Sequence, residues 1–189
     1  LEKAGVFGRP LIGSIVKPSI GLTPEDTAAV VDALCAADID FIKDDELNVD
    51  PAYAPFEARL AAVMPVLHRH ADRIGRMPMY AINISGGIDE MRWRHDAVLR
   101  QGGTCVMVSV NAVGIAGVEH LRSYSQLPIH GHRNGWGALT RHPSLGFDFM
   151  AWQKLWRLAG VDHLHVNGLR GKFWEPDDSV VASARALLE

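Results

Sequence analysis

The run Lys43-Asp44-Asp45-Glu46 sets one lysine beside three carboxylates. In a strand Lys43 and Asp45 point to the same face, and Glu46 can turn inward where strand becomes loop. Carboxylates this close repel one another unless a cation neutralises them, and hard oxygen ligands suit Mg2+. A partly buried lysine loses proton affinity. As a neutral amine Lys43 could add CO2 and become a carbamate, a third carboxylate-like ligand. The alternative account is a solvated charge run at a strand end. The apolar stretch Ile39-Asp40-Phe41-Ile42 buries the root of the run and favours a site.

Other residue types extend the same chemistry. Lys17 closes a β-branched run just before Pro18, where it is either a solubility lysine or a catalytic one. In His130-Gly131-His132-Arg133 the two histidines share a strand face, and Arg133 offers a planar fork for phosphate or carboxylate. His163-Leu164-His165 repeats the pattern one strand later. Each histidine could also be a hydrogen-bonded core residue; two successive strands ending this way argue against that for all four, which leaves room for one pair member to be structural. Asn83 stands at a third strand end and is read as a substrate contact. The segment Gly168 to Glu175 places Lys172 between glycine and aromatics, as in a closing lid. Trp152 and Trp156, spaced i and i+4, read as core packing. Paired His-x-His motifs also occur in zinc-dependent barrel hydrolases. There they precede the lysine, whereas here they follow it, and the order argues against that reading.

These residues need elements to carry them. Strands are expected over Leu11–Lys17, Asp40–Lys43, Met79–Ile84, Thr104–Val110, Leu127–His132 and Val161–Val166. Helices are expected from Thr23 (N-cap, with Pro24 at the first helical position) to about Ala37, then over Phe56–His70, Asp89–Leu99, Val118–Tyr124, Phe149–Leu158 and Ser179–Leu188. Alternating strands and helices of this length mean βαβ units and a parallel sheet. A doubly wound open sheet gathers its site at one switch point, whereas a barrel draws on many strand ends. Lys17, Lys43, Asp45, Asn83, Asn111, His132 and His165 all fall at expected C-terminal strand ends, so the α/β fold expected is a TIM (β/α)8 barrel. About six βα units are present of the eight a closed barrel requires.

Bulk properties exclude other classes. At 189 residues with 48% hydrophobic and 22% charged residues, the chain can bury a globular core. A net charge of −3 leaves no footprint for nucleic acid, and no apolar run reaches the ~20 residues a membrane span needs. Cys35 and Cys105 lack Cys-x-x-Cys spacing and read as buried thiols of a cytoplasmic protein. The start Leu1-Glu2-Lys3-Ala4 has neither initiator Met nor signal-peptide pattern.

The stretches Gly13–Leu22, Ile39–Glu46, Ile129–Arg133 and Asp162–Lys172 together resemble the large-subunit barrel of RuBisCO and its relatives, in order and across nearly the whole chain. The resemblance implies that Lys43 is carbamylated and binds Mg2+ with Asp45 and Glu46. It implies a proton-transfer role for Lys17, a base at His132, phosphate contacts at Arg133 and His165, and a mobile-loop tip at Lys172. It further implies a homodimer, an N-terminal α+β domain and final βα units outside residues 1–189. Departures qualify the match: Ser19 stands where carboxylases carry a second lysine, Ser109-Val110-Asn111 replaces an expected His-Asp pair, and Trp136 stands where another histidine is usual. They argue against carboxylation of ribulose bisphosphate. Arg133-Asn134-Gly135-Trp136 and the run Lys172 to Asp177 resemble the non-photosynthetic group of RuBisCO-like proteins. That group implies a lyase of apiose catabolism that decarboxylates a phosphorylated β-keto sugar acid, 3-oxo-isoapionate 4-phosphate. Lys17 is the expected acid, with His132 as the alternative. Two other accounts stay open: an isomerase of methylthioribulose type, and an inactive barrel fragment.

Overall fold

The computed structural model describes residues 4–142, 144–171 and 175–187. Six strands form one parallel sheet in sequence order: β1 (Gly13–Ile15), β2 (Phe41–Lys43), β3 (Met79–Asn83), β4 (Cys105–Ser109), β5 (Ile129–His132) and β6 (His163–Leu164). The helices are α1 (Pro24–Ala36), α2 (Phe56–Ile74), α3 (Ile88–Arg100), α4 (Val110–Tyr124), α5 (Gly137–Thr140), α6 (Phe149–Leu158) and α7 (Asp177–Arg185).

Strand order decides the architecture. With right-handed crossovers, a sheet built strictly in sequence order keeps its helices on one face, whereas a doubly wound sheet reverses and covers both. The two faces bear this out. Ile42, Tyr80, Ile82, Val106, Val108 and Ile129 pack against helix residues in the main core. Phe41, Met79, Ala81, Cys105 and Met107 form a second cluster on the opposite face, with Ala4 and no helix residue. That second face is the interior of a partial (β/α)8-type barrel, matching the expected fold with six strands.

Local chemistry explains the element ends. Thr23 caps α1 in a reciprocal box: its hydroxyl accepts from Asp26 N, and the Asp26 carboxylate accepts from Thr23 N. Helix α2 runs four residues beyond the expected His70, until Gly75 ends it at φ 73°. Helix α4 begins at Val110, well before the expected Val118, as a first turn broken by Gly114 at φ 77° and ψ 165°. The expected helix is therefore its second half. The four-residue α5 was not anticipated, and β6 is only His163–Leu164 because pairing with β5 covers just those residues. At the N-terminal end of the sheet, fully buried Asp40 accepts from Arg9, from Arg76 and from Ile12 N, fastening the entry segment to β2 and β3.

Candidate functional site

The C-terminal ends of the strands converge on a cavity of about 830 Å³ whose lining includes Lys17, Glu46, His132, Arg133, Arg141 and His165. Strand alternation brings these residues there. Phe41 and Lys43 face the barrel interior while Ile42 faces the helices.

Lys43 is buried at 5% exposure, and its ammonium donates to the Asp44 carbonyl at 2.6 Å and lies 3.6 Å from Glu46 Oε2. Burial lowers its proton affinity; the charges of Glu46 and Asp45 act in the opposite sense without cancelling it. Asp45 sits under Lys17, with Nζ 2.5 Å from Oδ2; Ser19 Oγ donates to the same oxygen at 3.0 Å and Leu47 N to Oδ1 at 2.9 Å. Burial alone would raise the Asp45 carboxyl, but these hydrogen bonds together hold it below its ordinary value. Ser19, the departure from the carboxylase pattern, thus bridges Lys17 and Asp45.

Glu46 Oε2 is buried with no hydrogen-bond partner, 3.6 Å from both Lys43 Nζ and His132 Nε2. An orphaned carboxylate oxygen beside a second carboxylate and a lysine of lowered proton affinity suits a hard divalent cation. Among the described residues no three His, Cys, Asp or Glu side chains converge as a ready-made metal cluster.

The histidine pairs divide. His130 and His163 hydrogen-bond to each other, Nδ1 to Nδ1 at 2.8 Å, with the Phe41 ring 5.3 and 5.1 Å from theirs. His132 and His165 lie nearer the mouth with ring centroids 5.0 Å apart. Burial, with Lys43 next, depresses His132 to about 4; burial, with Arg133 next, depresses His165 to about 3. Both are neutral near pH 7. His132 Nδ1 accepts from Asn134 N at 3.2 Å, so the neutral ring carries its proton on Nε2, the atom facing Glu46. Arg133, 6% exposed, has its guanidinium 5.4 Å from the Trp136 ring. Where a histidine was expected, Trp136 instead backs the arginine.

Asn83 does not line this cavity. It is fully buried; its amide donates to the carbonyls of Asp45 and Glu46 at 3.2 and 3.1 Å, and its oxygen accepts from Ser85 N and Oγ. With these hydrogen bonds it ties the site loop to β3. Asn111 is likewise engaged, donating to Asn134 O and accepting from Trp152 Nε1. Lys172 lies outside the described residues. Sequence reasoning missed Arg141, which reaches the cavity only because α5 turns the chain back. Nothing in its local sequence marked it.

All 189 residues match the family described as ribulose bisphosphate carboxylase large chain, catalytic domain. A 3-oxo-isoapionate-4-phosphate transcarboxylase/hydrolase of Xanthobacter autotrophicus is 64% identical over 98% of this chain and 45% of its own length. A 3-oxo-isoapionate-4-phosphate decarboxylase of Rhizobium etli is 49% identical over 97% of this chain and 44% of its own length. The crystal structure of a rubisco-like protein from Burkholderia fungorum superposes with a TM-score of 0.95 at 48% identity, covering 98% of this chain and 46% of that one. The chain thus spans about half the length of the curated relatives it matches.

Proposed function

The chain belongs to the ribulose bisphosphate carboxylase large-chain catalytic-domain family, and from that premise we propose that the whole protein is a lyase cleaving the carboxyl group from 3-oxo-isoapionate 4-phosphate. The observation that carries this reading is the mouth itself. Lys17, Glu46, a neutral His132 and a buried Arg133 line one cavity, with Asp45 held under Lys17 and the buried Lys43, of lowered proton affinity, 3.6 Å from Glu46. Relatives at 64% and 49% identity are named for this substrate.

Loss of CO2 from a β-keto acid leaves the bonding pair on carbon as an enediolate, which must be held and then protonated. In the proposed arrangement Lys43, as its carbamate, would hold Mg2+ with Asp45 and Glu46. The ion would supply positive charge where oxyanion charge develops. Arg133 and His165 take the phosphate, Arg133 through its rigid fork. Lys17, held over Asp45, delivers the proton to carbon. His132, its proton on Nε2, donates to a substrate oxygen and stands as the alternative acid. Lys172 is assigned the lid and the homodimer the working assembly, both on the family resemblance.

A second reading has specific support: the 64% relative is named a transcarboxylase/hydrolase, and in this reading the carboxyl group is handed on after the same first cleavage. The test gives full-length protein Mg2+, bicarbonate and substrate labelled with 13C in its carboxyl group. Label appearing as CO2 supports decarboxylation, and label retained in a carboxylate product supports transfer. Lys43→Ala is expected to lower turnover by about 10³-fold, since the charge stabilisation lost is several kcal/mol. No turnover of this substrate, with a methylthioribulose phosphate consumed in its place, would overturn the proposal.

A further inference from the structure

Within the run that forms the site, Asp44 points the opposite way from its neighbours. Its carboxylate is fully buried between the sheet and α2. There it accepts from Tyr80 Oη at 2.5 Å and from Asn83 N at 3.1 Å, and lies 3.3 Å from Arg59 Nη2. Arg59 is itself fully buried, and its guanidinium also donates to the carbonyls of Asn48, Val49 and Ala54. One α2 side chain thus gathers the carboxylate at the start of the site loop and three carbonyls further along it.

We propose that Asp44, Tyr80 and Arg59 are positioning residues for cation binding, fixing the backbone between Lys43 and Asp45 so that the side chains on either side face the mouth. This rests on the reading of Lys43, Asp45 and Glu46 as the cation's ligands. Stability alone does not call for the network, because a buried ion pair is commonly matched or bettered by apolar residues of similar volume. Its place does call for it. Asp44 is covalently between two proposed ligands, and groups that orient ligands from behind typically control affinity by about 10- to 100-fold. Tyr80 follows from strand register, since Ile42 pairs with Tyr80 and both face the helix side.

The test measures Mn2+ binding by electron paramagnetic resonance, in bicarbonate, on full-length protein. It compares wild type, Tyr80→Phe, Asp44→Asn and a control, Val118→Ala, which removes fully buried volume on α4 away from the site. Tyr80→Phe and Asp44→Asn are expected to weaken Mn2+ binding about 10- to 100-fold and to reduce the 13C carbamate signal of Lys43. Val118→Ala is expected to lower Tm with Mn2+ affinity unchanged. If Tyr80→Phe and Asp44→Asn lower Tm but bind Mn2+ like wild type, or if Val118→Ala weakens binding equally, the network is only structural and the inference is overturned. If wild type itself binds no Mn2+, the cation reading falls and takes this inference with it.

Discussion

His130 shows how one side chain's surroundings fix its protonation. It is 2% exposed, its Nδ1 is committed to His163, and its Nε2 is buried without a partner. Burial, reinforced by His163 and Lys43, holds it well below the ordinary histidine value of 6.5. A hydrogen bond between two Nδ1 atoms needs one donor and one acceptor, and protonating both rings removes the acceptor. The unfolded chain binds a proton at this position near pH 6.5, while the folded chain does not. The stabilisation is therefore complete above that value and is lost progressively as pH falls below it. Urea unfolding of the full protein should show stability declining from pH 7.5 to pH 5, with a shallower decline in His130→Phe. An equal slope in the two proteins would count against this account. The neighbouring pair His132 and His165 carries the same residue types at the same spacing, yet lines the mouth. Side-chain identity does not separate the pairs; height along the barrel does.

At the scale of elements, β5 shows why a glycine stands between two histidines. Gly131 faces the helix layer, where an added Cβ would meet Val161 Cγ1 at 2.8 Å, Leu164 Cδ2 at 2.9 Å and Val110 Cγ1 at 3.1 Å. Gly131→Ala should cost about 1–3 kcal/mol by overpacking, offset by less than about 1 kcal/mol from the stiffer unfolded chain. Chemical denaturation measures it, and a neutral or stabilising result would show that β5 can shift. The N-cap at Thr23 and the Phe149–Leu158 helix were legible from local sequence because their signals lie within a few residues. The full length of α2 and the early start of α4 were not. Helix α2 packs on α1 and runs to its stop at Gly75, and α4 starts ahead of its break at Gly114, so apolar periodicity did not mark either bound.

For the molecule as a whole, the sheet runs from β1 to β6, and among the described residues neither outer strand has a second partner. The interior beside those edges is a cavity whose lining includes Gly13, Ile15, Phe41, His130, His163 and Val166. Unpaired strand edges with apolar surface behind them template association with other chains. Residues 1–189 expressed alone should therefore self-associate with rising concentration in light scattering, whereas the full protein should give one defined assembly. A monodisperse, monomeric segment would refute this. No helix among the described residues is long and apolar enough to cross a membrane.

What the sequence determined by itself was the alternation of strands and helices, the chemical character of Lys43-Asp44-Asp45-Glu46, and the placing of polar residues at strand ends. All three follow from short-range patterning. Tertiary structure alone decided which of those polar residues face the cavity. Asp44 and Asn83 turn into the packing around the site loop, and Arg141 arrives from a distant turn. The reason is physical: strand alternation assigns a face at each position, but what lies on that face is supplied by residues far away in sequence.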